Sequence, residues 1–295
     1  MTKNNITNKY PSFIDIILFF VLYFTLTTVF GFVTAFFENI YSDIPGIHDI
    51  LNATSYVIIF SLIISATSVY RNLKHHGIKP RRLIRKHELI SPMYILFGIL
   101  AIFSMSFITN PLVSLFPQNL GDIYDMLSKM DTYTLLSCVI AAPVLEELLF
   151  RGIIQSDLEH KYGGISSIII TSLVFSIIHI NPAQVIAVFF TSVLISTIYY
   201  KTKSLWCCII IHSFNNTAAY LLFKLYKDKS DYAKPYIDFF ENHTTYYIIY
   251  SIAVLIVILT IVTLFATKKS TENKTIETPK DNNNQQNSKN NDNKT

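Results

Sequence analysis

The stretch FIDIILFFVLYFTLTTVFGFVTAFF, residues 13–37, carries one charged residue, Asp15, close to its start. About 20 consecutive apolar residues let a helix cross the hydrocarbon core of a bilayer, so this run reads as a membrane span. It is too long for the apolar core of a secretory leader, and no small-residue cleavage site follows it. It is therefore read as a retained first span. Seven further blocks of the same kind lie at 51–70, 90–107, 133–155, 164–180, 183–200, 204–223 and 245–267. Composition agrees, since 51% of the 295 residues are hydrophobic and 15% charged, against about 25% charged in typical soluble domains. The expected fold class is all-α: a polytopic membrane helix bundle of about eight transmembrane helices, multi-pass in the cell membrane.

Lysine and arginine between the blocks set the expected orientation. The loop at 71–88 holds Arg71, Lys74, Lys79, Arg81, Arg82, Arg85 and Lys86, and is expected in the cytoplasm. The loop at 38–49 has neither residue type, and the one at 108–132 has only Lys129. With eight spans both termini are then cytoplasmic. The loop at 224–244, with Lys224, Lys227, Lys229 and Lys234, runs against this scheme but is outweighed by the bias of 71–88. The organisation expected is an N-terminal group of three helices with the basic loop (1–132), a core of four helices (133–223), a loop and last helix (224–267), and a polar tail (268–295). The tail is too polar to bury a core and is expected to be disordered.

A net charge of +4 gives no reason to expect a nucleic-acid partner. The three cysteines, Cys138, Cys207 and Cys208, all fall in apolar blocks and form no disulfide framework or CxxC pair. Cys208 and His212 are four residues apart, but a thiol–imidazole pair would leave the glutamates of the fourth block unexplained.

Those glutamates lie in APVLEELLFRG, residues 141–151. Charge at the centre of a membrane helix costs about 2.5–3.5 kcal/mol on insertion scales, and residues that bear it face the bundle interior and mark functional sites. The ionisable groups deep in spans are Glu146 and Glu147, His179 and His212, with Arg151 near a span end. A purely structural clamp between helices is the plainer alternative. Glu147 and Arg151 sit at i,i+4 and are expected to pair, whereas Glu146 is about 100° round the helix and points elsewhere. His212 and Asn216, in HSFNN, share a face, as do Phe175 and His179 in FSIIH. A carboxylate beside an imidazole can take a proton from water and return it to a leaving group. An imidazole with an amide can donate to an oxyanion. Glu146, His179 and His212 could alternatively supply three ligands to a divalent metal such as zinc, although no HExxH pair lies on one helix.

EELLFRG (146–152), FSIIH (175–179) and HSFNN (212–216) together resemble the EExxxR, FxxxH and HxxxN/D motifs of the CAAX protease and bacteriocin-processing family, also called the type II CAAX prenyl endopeptidase or Abi family, which includes lysostaphin-resistance-like proteins. The resemblance covers about 80 residues, with the motifs in order on successive spans. It implies an eight-helix intramembrane endopeptidase acting on a peptide or protein substrate at the bilayer. Glu146 then activates water with His179, His212 and Asn216 stabilise the oxyanion, and Glu147, Arg151 and Phe175 support them. The implied cofactor is none or a divalent metal. Two other readings use the same residues: a non-catalytic peptide-binding or bacteriocin-immunity membrane protein, and a proton-coupled transporter. The transporter would normally show repeats or broken helices, and neither is visible.

Overall fold

A computed structural model of the chain describes residues 10–74, 92–116, 132–225 and 234–266. Much of the basic loop (75–91) and the polar tail lie outside the described residues, as do 117–131 and 226–233. The described residues form helices α1 (Phe13–Ile40), α2 (Ile47–Lys74), α3 (Pro92–Val113), α4 (Thr132–Tyr162), α5 (Gly164–Ile177), α6 (Pro182–Thr202), α7 (Leu205–Leu225) and α8 (His243–Ala266), with a 3₁₀ turn at Tyr236–Phe239. Among the described residues there is no strand. The chain is an all-α, multi-pass membrane bundle.

The lone charge of the opening stretch has a structural use. Ser12 caps α1, its hydroxyl accepting from Asp15 N, while the Asp15 carboxylate accepts from Ser12 N at 2.6 Å. This reciprocal box satisfies donors that a helix start leaves open. Asp15 also accepts from the Tyr70 hydroxyl at 2.6 Å, tying the start of α1 to the end of α2.

Seven of the helices are long and apolar enough to cross a membrane by length and composition. The exception corrects the expectation of a full span over 164–180. Helix α5 has 14 residues, about 21 Å at 1.5 Å per residue, short of a hydrocarbon core of about 30 Å. The reason lies just beyond it. Ile180 takes φ 61°, and Asn181 caps α6 by accepting from Ala183 N and Gln184 N, with Pro182 in the first turn. A residue before proline is pushed out of helical geometry, so the apolar run is cut into helix and turn.

The bundle has a polar end that gathers the start of α1 and the ends of α2, α4, α6 and α8. Arg71 pairs with Asp157 at 2.9 Å, Lys203 with Glu159, and Lys161 Nζ donates to Pro11 O at 2.7 Å. Lys201 lies over the Phe265 ring at 4.0 Å. Residues 10 and 266 therefore lie at one end of the bundle. The short α5 does not change this, because α6 packs along it and returns the chain to the same end.

Two apolar cores fill the interior. One joins α3, α6, α7 and α8 through residues such as Ala101, Leu194, Ile198, Ile211 and Val257. The other joins α1, α2, α4 and α5 through Phe19, Phe60, Leu149, Phe150 and Phe175. Helix α4 runs between them: Leu149, Phe150 and Ile153 belong to the second core, while Val144 and Leu148 pack against the first. The outward faces are apolar too, with Phe13 at 74% and Phe32 at 75% exposure. Such faces would be a liability in water and are ordinary against lipid.

Candidate active site

Helix α4 winds irregularly where its charges lie. It has π-helical turns over Ser137–Ala141 and Leu148–Gln155, on either side of the α-helical Ala142–Glu147. π turns inside α-helices occur frequently at functional sites. Glu146 and Glu147 are both buried on this short segment.

Glu147 is 0% exposed, as is Arg151. Glu147 Oε1 accepts from Arg151 Nη1 at 2.8 Å and from His212 Nδ1 at 2.8 Å. The other arm of the guanidinium donates to Ser192 Oγ at 2.9 Å, and its centre stands 4.9 Å over the Phe175 ring. The predicted i,i+4 pair is present, and it is a junction among α4, α5, α6 and α7. Arginine suits this place because its planar fork serves two partners while a face stacks on an aromatic ring.

Glu146 has different neighbours. Its Oε1 accepts from the hydroxyl of Tyr56, on α2. Its Oε2 lies 3.7 Å from His212 Nε2. His212 thus stands between the two carboxylates. Since a carboxylate only accepts, Nδ1 carries the hydrogen given to Glu147, and Nε2 is the atom turned to Glu146.

His179 follows the end of α5. Its Nδ1 donates to Phe175 O at 3.0 Å, which leaves Nε2 as the accepting atom of the neutral ring. Its ring meets Phe175 edge-on at 5.2 Å, and Phe175 meets His212 edge-on at 6.0 Å. Asn216 shares with His212 the side of α7 that faces α4, but its Nδ2 donates to Cys138 O at 2.9 Å, on the first π turn. His212 and Asn216 thus share a face of α7 and meet α4 at Glu147 and Cys138 respectively. Cys208 Sγ contacts Ile195 O at 3.8 Å, on α6.

Tyr56 was not singled out from sequence. The available signal was a hydroxyl placed inside an apolar span, which needs a partner when buried. With 18 tyrosines in the chain, that signal alone selects no residue. Ser192 was missed for a similar reason.

A metal would need Glu146, His179 and His212 to converge as ligands. Among the described residues no three His, Cys, Asp or Glu side chains form such a group, while Nε2 of each histidine is the ring nitrogen left for a ligand. A separate cavity of about 310 Å³ lies at the polar end, between α1, α2, α4 and α5, with Asp15, Tyr70 and Asp157 among its lining, and it includes none of the site residues.

The fold and site together define a membrane-embedded helix bundle with carboxylates and imidazoles gathered inside it. Comparison with known proteins narrows the class. Residues 128–218 match the family model described as type II CAAX prenyl endopeptidase Rce1-like, and this segment is similar to the CAAX proteases. The chain is also similar to "Putative membrane peptidase YdiL" of Bacillus subtilis (strain 168), with 27% identity over 100 residues, 34% of this chain and 41% of the relative. It thus spans about two fifths of the length of the curated relative it matches. No solved structure matches it.

Proposed function

We propose that the chain is an intramembrane endopeptidase that hydrolyses a peptide bond in a membrane-associated or hydrophobic peptide. The observation that carries this reading is the facing of Glu146 Oε2 and His212 Nε2 at 3.7 Å, with His212 backed by Glu147. Glu146 takes a proton from water as the water oxygen bonds to the substrate carbonyl carbon, and His179 Nε2 orients that water. The oxyanion that forms is met by His212, whose imidazolium form Glu147 stabilises, and by the second N–H of Asn216. Glu146 then returns the proton to the leaving amine as the C–N bond breaks. General acid–base transfer of this kind contributes about 10²–10⁴-fold, and loss of an oxyanion donor typically costs about 10²–10³-fold.

The polar end of the bundle is assigned to the cytoplasm, supported by Arg71, Lys74, Lys161, Lys201 and Lys203 at helix ends there. Both termini are then cytoplasmic.

The test compares the proteomes of cells carrying the wild type and Glu146→Gln, with membrane insertion of both verified. The expected result is one or more peptides whose cleaved form is lost in the variant. Identical cleavage patterns from two well-inserted proteins would overturn the protease reading. A phenotype retained alongside them would favour a peptide-binding or immunity protein.

A further inference from the structure

Tyr56 lies outside residues 128–218, so the family match says nothing about it. It comes from α2, and 90 positions of sequence separate it from the glutamate it touches. Three features set it apart from a tyrosine that merely fills space. Its hydroxyl donates to one named oxygen, Oε1 of Glu146. Its ring is stacked on Phe60 at 4.6 Å and 26°, and Phe60 is itself 2% exposed. And Phe60 opens an unbroken run of ring contacts that crosses the bundle. Phe60 meets Tyr23 edge-on at 6.2 Å, and Tyr23 stacks on Phe19 at 6.4 Å. Phe19 meets Phe150 at 5.8 Å, and Phe150 meets Phe175 at 4.8 Å. Phe175 is the ring that both histidines touch. The phenol that touches Glu146 and the two imidazoles that touch Phe175 are therefore held by the same packed track.

An untethered carboxylate rotates and offers either oxygen. A glutamate that activates water must hold one oxygen toward the water at hydrogen-bond distance. We infer that Tyr56 is a positioning residue: its O–H clamps Oε1 of Glu146, so that Oε2, the oxygen beside His212, is the one presented to water. The clamp rests on geometry, and its consequence for turnover rests on the protease reading above.

The test has two arms on the full chain in lipid nanodiscs. In the first, 3-fluorotyrosine is placed at position 56 and its ¹⁹F resonance is read without any substrate. Glu146→Gln is expected to shift that resonance, while Glu38→Gln, at the far end of α1, leaves it in place. A resonance unmoved by Glu146→Gln overturns the clamp. In the second arm, Tyr56→Phe keeps the ring and removes only the hydroxyl. With a peptide found by the proteomic comparison as probe, kcat is expected to fall about 10–100-fold, as for loss of a hydrogen bond to a charged group, with KM within about twofold. An equal rise in KM and fall in stability with kcat unchanged would make Tyr56 structural only and overturn the proposal. If Glu146→Gln itself leaves cleavage intact, the protease reading falls and takes the catalytic consequence with it, whatever Tyr56→Phe does.

Discussion

Glu146 and Glu147 are neighbours in the chain with opposite surroundings. Glu147 is closed in by Arg151 and His212 and has no exposure. Glu146 keeps one oxygen beside His212 Nε2 and the other under the Tyr56 hydroxyl. Arg151→Ala would leave Glu147 buried without its cation, and breaking a buried pair from one side costs about 3–5 kcal/mol. The expected result is a large fall in thermal unfolding temperature in detergent. Arg151→Lys should restore only part of it, because one ammonium cannot reproduce the fork that serves Glu147 and Ser192. The double variant Glu147→Gln/Arg151→Met should lose less than the sum of its single changes, since the two sites share one interaction. At this scale the sequence was legible where partners lie on one helix. Glu147 and Arg151 are four residues apart, and helical geometry alone brings them together. Tyr56 and Ser192 reach the site across 90 and 41 residues, which only the packing of whole helices decides.

Among the elements, α4 and α5 shape the site. The existence of both could be read from their apolar blocks, but not the π turns of α4, because hydrophobic spacing does not distinguish 3.6-residue turns from occasional wider ones. Nor could the early stop of α5, where the run 164–180 carries no Asp, Glu, Lys, Arg or Pro and the break comes from backbone geometry at Ile180 and the cap at Asn181. The joint between the two helices is Gly163, at φ 82° and ψ 177°. That conformation is nearly exclusive to glycine and costs about 1–3 kcal/mol for other residues. Gly163→Ala is expected to lower stability by about that amount, read as a shifted unfolding midpoint. An unshifted midpoint would mean that the joint relaxes freely. Because α5 carries Phe175 and leads into His179, the same variant should also loosen the placement of His179.

At the scale of the whole molecule, membrane character followed from the apolar blocks, and the number of complete spans did not, because α5 is too short. Residues 10 and 266 lie at one end of the bundle all the same, since α5 and α6 form an out-and-back pair. Side-sensitive reporters fused before residue 10 and after residue 266 are expected to report the same face, the cytoplasmic one, and opposite faces would overturn the assigned orientation. The π turn at Leu148–Gln155 separates two sets of contacts on α4: the glutamates at the site, and Asp157 and Glu159 at the polar end. A π turn amounts to an α turn with a residue to spare. Removing one residue from it would let it close as an ordinary α turn and leave the glutamates nearly in phase with Asp157 and Glu159, whereas removing one from a regular α turn would swing them by about 100°. The π turn works like slack in a coupling, so that the anchor at one end and the chemistry near the middle tolerate a miscount of one residue there and nowhere else along the helix.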